Sequence, residues 1–515
     1  MLNDGATTAS RALSAGAWTV GSRLIAKVID LGMLLCLARF LGPAEFGLVA
    51  TAMAAVFVIE ALFELPVAAA LIRVPTVTPD MLHTAFTLSL LRGFVIASLL
   101  LIISIPLALF NDEPRLVGLL AVLSLAPALR GLVSPRLVEY TRAFNFKPDT
   151  AMELSGKTVA FTVSIFIAVT TRSYWAIAAA TVCAPLVSTL MSYAIAPLRP
   201  KLTLARWKDF SNLIGWNFIS QLCGALNWQI DRLLLPRFTT NAAFGQYAMG
   251  KQLSEIPLQA LIAPLSRPAM AALAAAGENR SSRYLQLCQA VALLLVPVLG
   301  IPLLWPEGLV RIGLGAAWSL AAEWLRLISA VAILGIPAML LGPLTMTLDR
   351  TRWLAVRTVT ELIIRAPLVL IGAIQFGIPG AIGASAIATA SGTLIALLVV
   401  RNLLGASISQ QLLTLWRPLI AMLPAGAVLW LGKVQIADSD SLVQVLGHVV
   451  PVMVLCLSVY ILAAVLLWRI TGRPPGLEQQ LLNKFGKKFP NKSASKNEFV
   501  EERQKSSIDR LEAKS

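Results

Sequence analysis

The chain has 515 residues, of which 57% are hydrophobic and only 14% charged, whereas soluble domains are near a quarter charged. That balance excludes an ordinary soluble enzyme, and the net charge of +16 comes with no other nucleic-acid signature. Five cysteines (Cys36, Cys183, Cys223, Cys288, Cys456), none in a CxxC pair, and two histidines, His83 and His448, argue against disulfides, a metal centre or a cofactor.

Apolar stretches of about 20 residues, the length that crosses a bilayer core, recur along nearly the whole chain. They predict an all-α polytopic membrane protein with about fourteen spans, centred near residues 28, 57, 97, 125, 165, 186, 222, 255, 294, 332, 364, 390, 423 and 456. The first, from about Ala15 to Leu41, is too long for a signal peptide and holds Arg23, Lys27 and Asp30, so it reads as a retained helix. With the N-terminus inside, the outer connections hold only Arg39, Arg115, Arg172, Arg237, Arg311 and Lys433. The inner ones, from Arg73 and the Arg136–Lys157 group to Arg401 and Arg417, hold about three times as many cations, which predicts both termini inside. From about Arg469 the chain turns polar. Lys484, Lys487 and Lys488 lie in this tail, which is expected to be cytoplasmic and largely disordered.

Two corners share a signature. "RFLGPAEFG" at 39–47 and "RFTTNAAFG" at 237–245 stand 198 positions apart. The same ungapped offset pairs Trp18 with Trp216, Ser22 with Ser220, Leu35 with Leu233, Ala50 with Ala248 and Pro66 with Pro264. An internal duplication follows, and six spans per copy give both copies the same orientation, related by an axis along the membrane normal. The expected organisation is a six-helix lobe at 1–198, a second at 199–400, two further helices at 401–470 and the tail at 471–515. The corners themselves read as structural. Arg39 suits the terminal carbonyls of its own helix, Gly42 and Pro43 suit a break and a restart, and Thr240 and Asn241 offer N-cap chemistry.

Polar groups inside the membrane carry the chemistry, because each charge costs at least ~2.5–3.5 kcal/mol at the centre of a span. Arg23, Lys27 and Asp30 share one helical face. Two cations with one carboxylate leave positive charge in excess, and an anion in a central cavity would compensate it. Gln221 is the repeat counterpart of Arg23. Arg92, Arg130, Lys251 and Arg365 are further candidate anion contacts, although Lys251–Glu255 and Glu361–Arg365 have the spacing of helical ion pairs. Candidate ion-coupling carboxylates are Asp30, Glu60, Glu64, Asp231 and Glu255. No GxxxxGK[ST] phosphate loop occurs.

The segments "LARFLGPAEFGLVA", "DRLLLPRFTTNAAFGQYAMGKQLSEIP" and "LGAAWSLAAEWLRLIS" resemble the polysaccharide transporter family. These are the Wzx-like flippases of the multidrug/oligosaccharidyl-lipid/polysaccharide exporter superfamily, and the resemblance runs over roughly residues 10 to 470. It implies a bacterial inner-membrane transporter that is not an enzyme. Its substrate would be a polyprenyl-diphosphate-linked oligosaccharide, a repeat unit of exopolysaccharide, capsule or O-antigen, carried from the cytoplasmic to the periplasmic leaflet. It also implies alternating access between two lobes, with a polysaccharide polymerase and glycosyltransferases as candidate partners. Three alternatives stand beside it. A multidrug cation antiporter would want an acidic cavity, a lipid II flippase differs only in overall resemblance, and a membrane glycosyltransferase or polymerase would need a larger extramembrane loop than any here.

Overall fold

A computed structural model describes residues 2–65, 67–74, 76–211, 217–432 and 442–472. Pro66, Trp216, Lys433, the side chain of Ser220 and the tail beyond residue 472 with Lys484, Lys487 and Lys488 lie outside the described residues. Among the described residues the chain forms helices and short links, with no strand.

The elements follow the apolar runs and stop at the expected breakers. α1 (Leu2–Phe40) ends at the first corner, where Gly42 and Pro43 start α2 (Pro43–Leu62) and α3 (Val67–Arg73) follows. Thr78 caps α4 (Pro79–Phe110), its hydroxyl accepting from Met81 N at 3.4 Å. α5 (Arg115–Leu123), α6 (Leu125–Gly131) and α7 (Val138–Arg142) make one path with a 51° bend, and α8 (Lys147–Thr171) and α9 (Trp175–Ile195) form a hairpin. After the short α10 (Lys208–Ser211), α11 (Asn217–Phe238) and α12 (Asn241–Ala274) repeat the pattern of α1 and α2. Thr240 caps α12, as its type predicts, by accepting from Ala243 N at 3.2 Å.

The second half continues with α13 (Arg280–Leu304), α14 (Pro306–Gly313), α15 (Ser319–Gly335) and α16 (Leu341–Thr347). α17 (Arg352–Leu404) is not one rod. Gly377 (φ 64°, ψ −138°) turns the chain back, and the legs run side by side, with Arg357 Nε donating to Gly392 O at 3.2 Å. α18 (Ile408–Leu412), α19 (Trp416–Leu431) and α20 (Leu442–Ile470) close the chain.

Among the described residues nine helices are long and apolar enough to cross a membrane, or ten with the bent α5–α7 path as one span. This is a multi-pass membrane protein. The difference from fourteen has a physical source. α1, α11 and α12 are interrupted by charged and polar side chains, and α17 counts once although it has two legs. Exposed apolar side chains such as Ile102, Ile105 and Leu109 on α4 are what a lipid-facing surface requires.

The buried apolar side chains form several clusters, some within one half of the chain and some across a seam between the halves. Leu48, Ala52, Val56, Ile96, Leu116 and Leu119 belong to one core, whereas Tyr284, Leu295, Leu299, Leu341 and Val400 belong to another. Across the seam Leu233 packs into the first half, while Ala50 packs beside Phe244 and Tyr247 of the second. At one end of the seam the two corners of the signature meet. Gly47 lies so close to α12 that an added Cβ would fall on the Asn241 carbonyl, and a Cβ on Gly245 would fall on the Pro43 carbonyl.

Candidate functional site

α1 has two working faces. Trp18, Ser22, Ala26 and Asp30 recur every four residues, and this face turns to α8. Trp18 Nε1 donates to Thr150 Oγ1 at 3.1 Å, and Ser22 and Ala26 are buried. Lys157 Nζ donates to Asp30 Oδ2 at 2.6 Å, and the same ammonium lies 3.6 Å from Glu153. The expectation that Arg23 and Lys27 share Asp30 is therefore corrected, because the carboxylate is turned towards α8 and held by Lys157. The charge pattern places Lys157 in an inner connection, whereas it lies within α8. Its spacing of four from Glu153 within one helix was the available signal.

One position round the helix, Arg23, Lys27, Leu34 and Ala38 share the second face. Leu34 and Ala38 pack against Val310, Leu314, Trp318 and Ala321 of the second half. Further along the same stripe Arg23 and Lys27 are exposed. Among the described residues neither has an ion-pair partner, and Asp30, the nearest carboxylate in sequence, is taken. The stripe thus starts as the contact between the halves and ends at two exposed cations with no ion-pair partner among the described residues.

The other sequence candidates fall into three groups. In the first half Arg130 of α6 forms an ion pair with Glu60 of α2, and Arg92 of α4 sits in the field of Glu60, Glu64 and Arg130 with its Nε unbonded. Gln221 Nε2 donates to Glu64 Oε2 at 3.0 Å, tying α11 to the end of α2. Arg130 is thereby paired, whereas Arg92 has no ion pair among the described residues and feels the two carboxylates only through their field.

A second group is buried between α11 and α12. Lys251 Nζ donates to Asp231 at 2.6 and 2.8 Å and lies 3.7 Å from Glu255, and Tyr247 also hydrogen-bonds Asp231. Arg232 donates to Glu255 Oε2 at 3.0 Å and to Gln252 Oε1 at 3.3 Å. Two cations face two carboxylates, so Lys251, Asp231 and Glu255 satisfy one another. Arg232 is 7% exposed, so it belongs to the buried network.

The third group clamps α17. Glu361 lies 2.9 Å from Arg365 and 3.6 Å from Arg357. Arg365 further donates to Asn227 O at 2.7 Å and to Thr389 Oγ1 at 3.0 Å, joining both legs to α11. An arginine used in three directions has little left for a ligand.

At the corners, Arg39 Nη2 donates to Ile312 O at 2.7 Å. The carbonyl it meets is thus the end of α14, not of its own helix, because the end of α1 abuts the opposite half. Asn241 likewise gives no N-cap bond and instead donates to Glu113 Oε2 at 2.6 Å.

Comparison with known proteins identifies the frame that holds these groups. The pattern of a family described as polysaccharide biosynthesis protein matches residues 36–323, more than half of the chain. The chain belongs to that family. Among its relatives, this family member is 23% identical over 300 residues to the succinoglycan biosynthesis transport protein ExoT of Rhizobium meliloti. The match covers 57% of this chain and 60% of that protein's length. It is 21% identical over 437 residues to the lipopolysaccharide biosynthesis protein WzxC of Escherichia coli, covering 80% and 86% of the two chains. Its fold is that of the lipid II flippase MurJ in an inward closed conformation (TM-score 0.68, 14% identity, 87% of this chain and 98% of that one). An inward-facing multidrug resistance MATE family transporter of the MOP superfamily has the same fold (TM-score 0.58, 13% identity, 75% and 96%). The matched family region holds both corners and begins after Arg23 and Lys27, so the cationic stripe stands on its own geometry.

Proposed function

We propose that this member of the polysaccharide biosynthesis family is a flippase. Its cargo is a polyprenyl-diphosphate-linked oligosaccharide, moved from the cytoplasmic to the periplasmic leaflet of a bacterial inner membrane. The observation that carries the reading is the unpaired Arg23–Lys27 stripe, which continues the contact between the halves. A diphosphate leaving water needs compensating cations, and a pair four residues apart on one helix supplies them at fixed spacing. The relatives named for succinoglycan transport and lipopolysaccharide biosynthesis agree with that cargo class. The other cations play supporting parts. Arg92, with one unbonded nitrogen, is a second contact as the cargo advances, whereas Arg130, Lys251 and Arg365 maintain the helices.

The same reading takes the chain as two six-helix lobes with two further helices and both termini inside. Ten apolar spans, the three polar helices α1, α11 and α12 and the second leg of α17 together make fourteen. The reciprocal contact of Gly47 with Asn241 and of Gly245 with Pro43 supports a repeat, because both pairs obey the 198-residue offset. Alternating access then opens the seam between the lobes at either end, and polymerisation outside or an ion gradient supplies direction. A cation antiporter fits less well, since the unpaired charges on the stripe are positive. Deleting the gene and identifying the lipid that accumulates tests the cargo. A lipid-linked oligosaccharide held in the inner leaflet is expected, and drug sensitivity without such a lipid would overturn the reading.

A further inference from the structure

The two corners grip the opposite half by different chemistry. At the end of α11, Arg237 pairs with Asp112, and Asn241 Nδ2 donates to Glu113 Oε2 at 2.6 Å. Both acceptors lie in the link between α4 and α5, where Arg115 Nε also holds Glu113, at 2.8 Å. The Arg237 and Asp112 side chains are 40% and 75% exposed. At the end of α1 the grip centres on a buried indole. Trp318 is fully buried, donates to Ala38 O at 2.8 Å and meets the Phe46 ring edge-on at 5.2 Å. Arg39 adds its bond to the Ile312 carbonyl. By the 198-residue offset Asp112 corresponds to Val310, two positions before Ile312. One place in the fold therefore carries carboxylates in one half and a helix-end carbonyl followed by a tryptophan in the other.

We infer that this end of the seam opens on one side only: Arg237–Asp112 with Asn241–Glu113 is a releasable catch, and Trp318 with Ala38 and Phe46 is the pivot. Exposed ion pairs are weakened by competing water and screened by salt, so they part readily. A buried indole with its N–H satisfied and its ring against another ring holds its place as the halves move. Between the two, Gly47 and Gly245 present backbone to backbone, with no side chains to disengage. The inference rests on the two-lobe, alternating-access reading, and no particular cargo is needed for it.

Thiol labelling in nanodiscs, where both ends are reachable, tests the catch without a transport assay. In a chain whose five native cysteines are replaced, Leu233→Cys reports the catch side, where it packs into the first half. Leu35→Cys reports the pivot side, where it packs in the cluster of Val310 and Leu314. Combining Asp112→Asn with Arg237→Gln should speed maleimide labelling at Leu233→Cys by roughly two- to fivefold, the range that loss of an exposed pair allows. Labelling at Leu35→Cys should not change. Raising salt with both charges intact should reproduce the difference, which covers the case where the double variant folds poorly. Equal acceleration at both reporters, acceleration at Leu35→Cys alone, or no change at Leu233→Cys under either condition would overturn the assignment. Because labelling requires no cargo, such a result leaves the flippase reading to its own test.

Discussion

Gly47 and Gly245, 198 residues apart and each the end of the same short signature, are pressed against each other's helices. Each lies under a backbone carbonyl of the opposite corner, Asn241 O above Gly47 and Pro43 O above Gly245. The Phe-Gly pair recurs because the two halves cross at this point and only a bare backbone fits. Gly47→Ala or Gly245→Ala should therefore lower apparent stability by about 1–3 kcal/mol, the usual cost of overpacking. Gly224→Ala, whose Cβ would meet nothing within 4 Å, should be neutral or stabilising by up to about 1 kcal/mol. Melting temperatures of the purified variants in detergent check the contrast, and equal effects at Gly47 and Gly224 would remove the crossing as its cause.

The buried Asp231–Lys251–Glu255–Arg232 network is charge-balanced, so breaking it should cost more than erasing it. Lys251→Met alone leaves Asp231 facing only Tyr247 among its present hydrogen-bond partners and should cost about 3–5 kcal/mol. Adding Asp231→Leu to Lys251→Met should recover part of that loss rather than add to it. Folded yield and melting temperature of the single and double variants decide the matter. Additive losses would mean that the two groups do not act as a pair.

The catch carries a predictable pH signature. The hydrogen bond from Arg115, helped by Asn241, holds the Glu113 carboxyl below the usual carboxylate range, against the opposing effect of burial. A lowered folded value means that its stabilisation is complete above the ordinary glutamate pKa of about 4.3 and fades as pH falls through the folded value. The melting-temperature difference between the natural chain and Glu113→Gln should thus be constant from about pH 6 to 8 and shrink below about pH 4. A difference that instead changed around neutrality would point to another group.

Much of the fold is legible in the sequence because lipid demands long apolar runs, and the breaks between them are made by residues with fixed backbone habits. Gly42–Pro43 and Thr240 start α2 and α12 as their types predict. The site was legible only in part. Arg23 and Lys27 could be placed on one face from their spacing, but their partner could not. Asp30 lies three residues beyond Lys27, yet its side chain is turned to Lys157 of α8, 127 residues further along the chain. Lys251 and Arg365 have the spacing of helical ion pairs with Glu255 and Glu361, but Asp231 and the Asn227 carbonyl, which complete their sets, arrive from α11, as Glu60 of α2 does for Arg130. Long-range pairing, which periodicity does not encode, sets these structural cations apart from Arg23 and Lys27.

Those two cations carry the central claim, and the decisive measurement is export by a chain lacking them. With Arg23→Ala and Lys27→Ala combined, protein level in the membrane should be unchanged, since neither side chain is buried or ion-paired. Surface polysaccharide should fall at least about tenfold, the factor that ~1.4 kcal/mol of lost charge compensation produces, and lipid-linked oligosaccharide should accumulate in the inner leaflet. Export at the natural level by the double variant, with no such accumulation, would contradict the account.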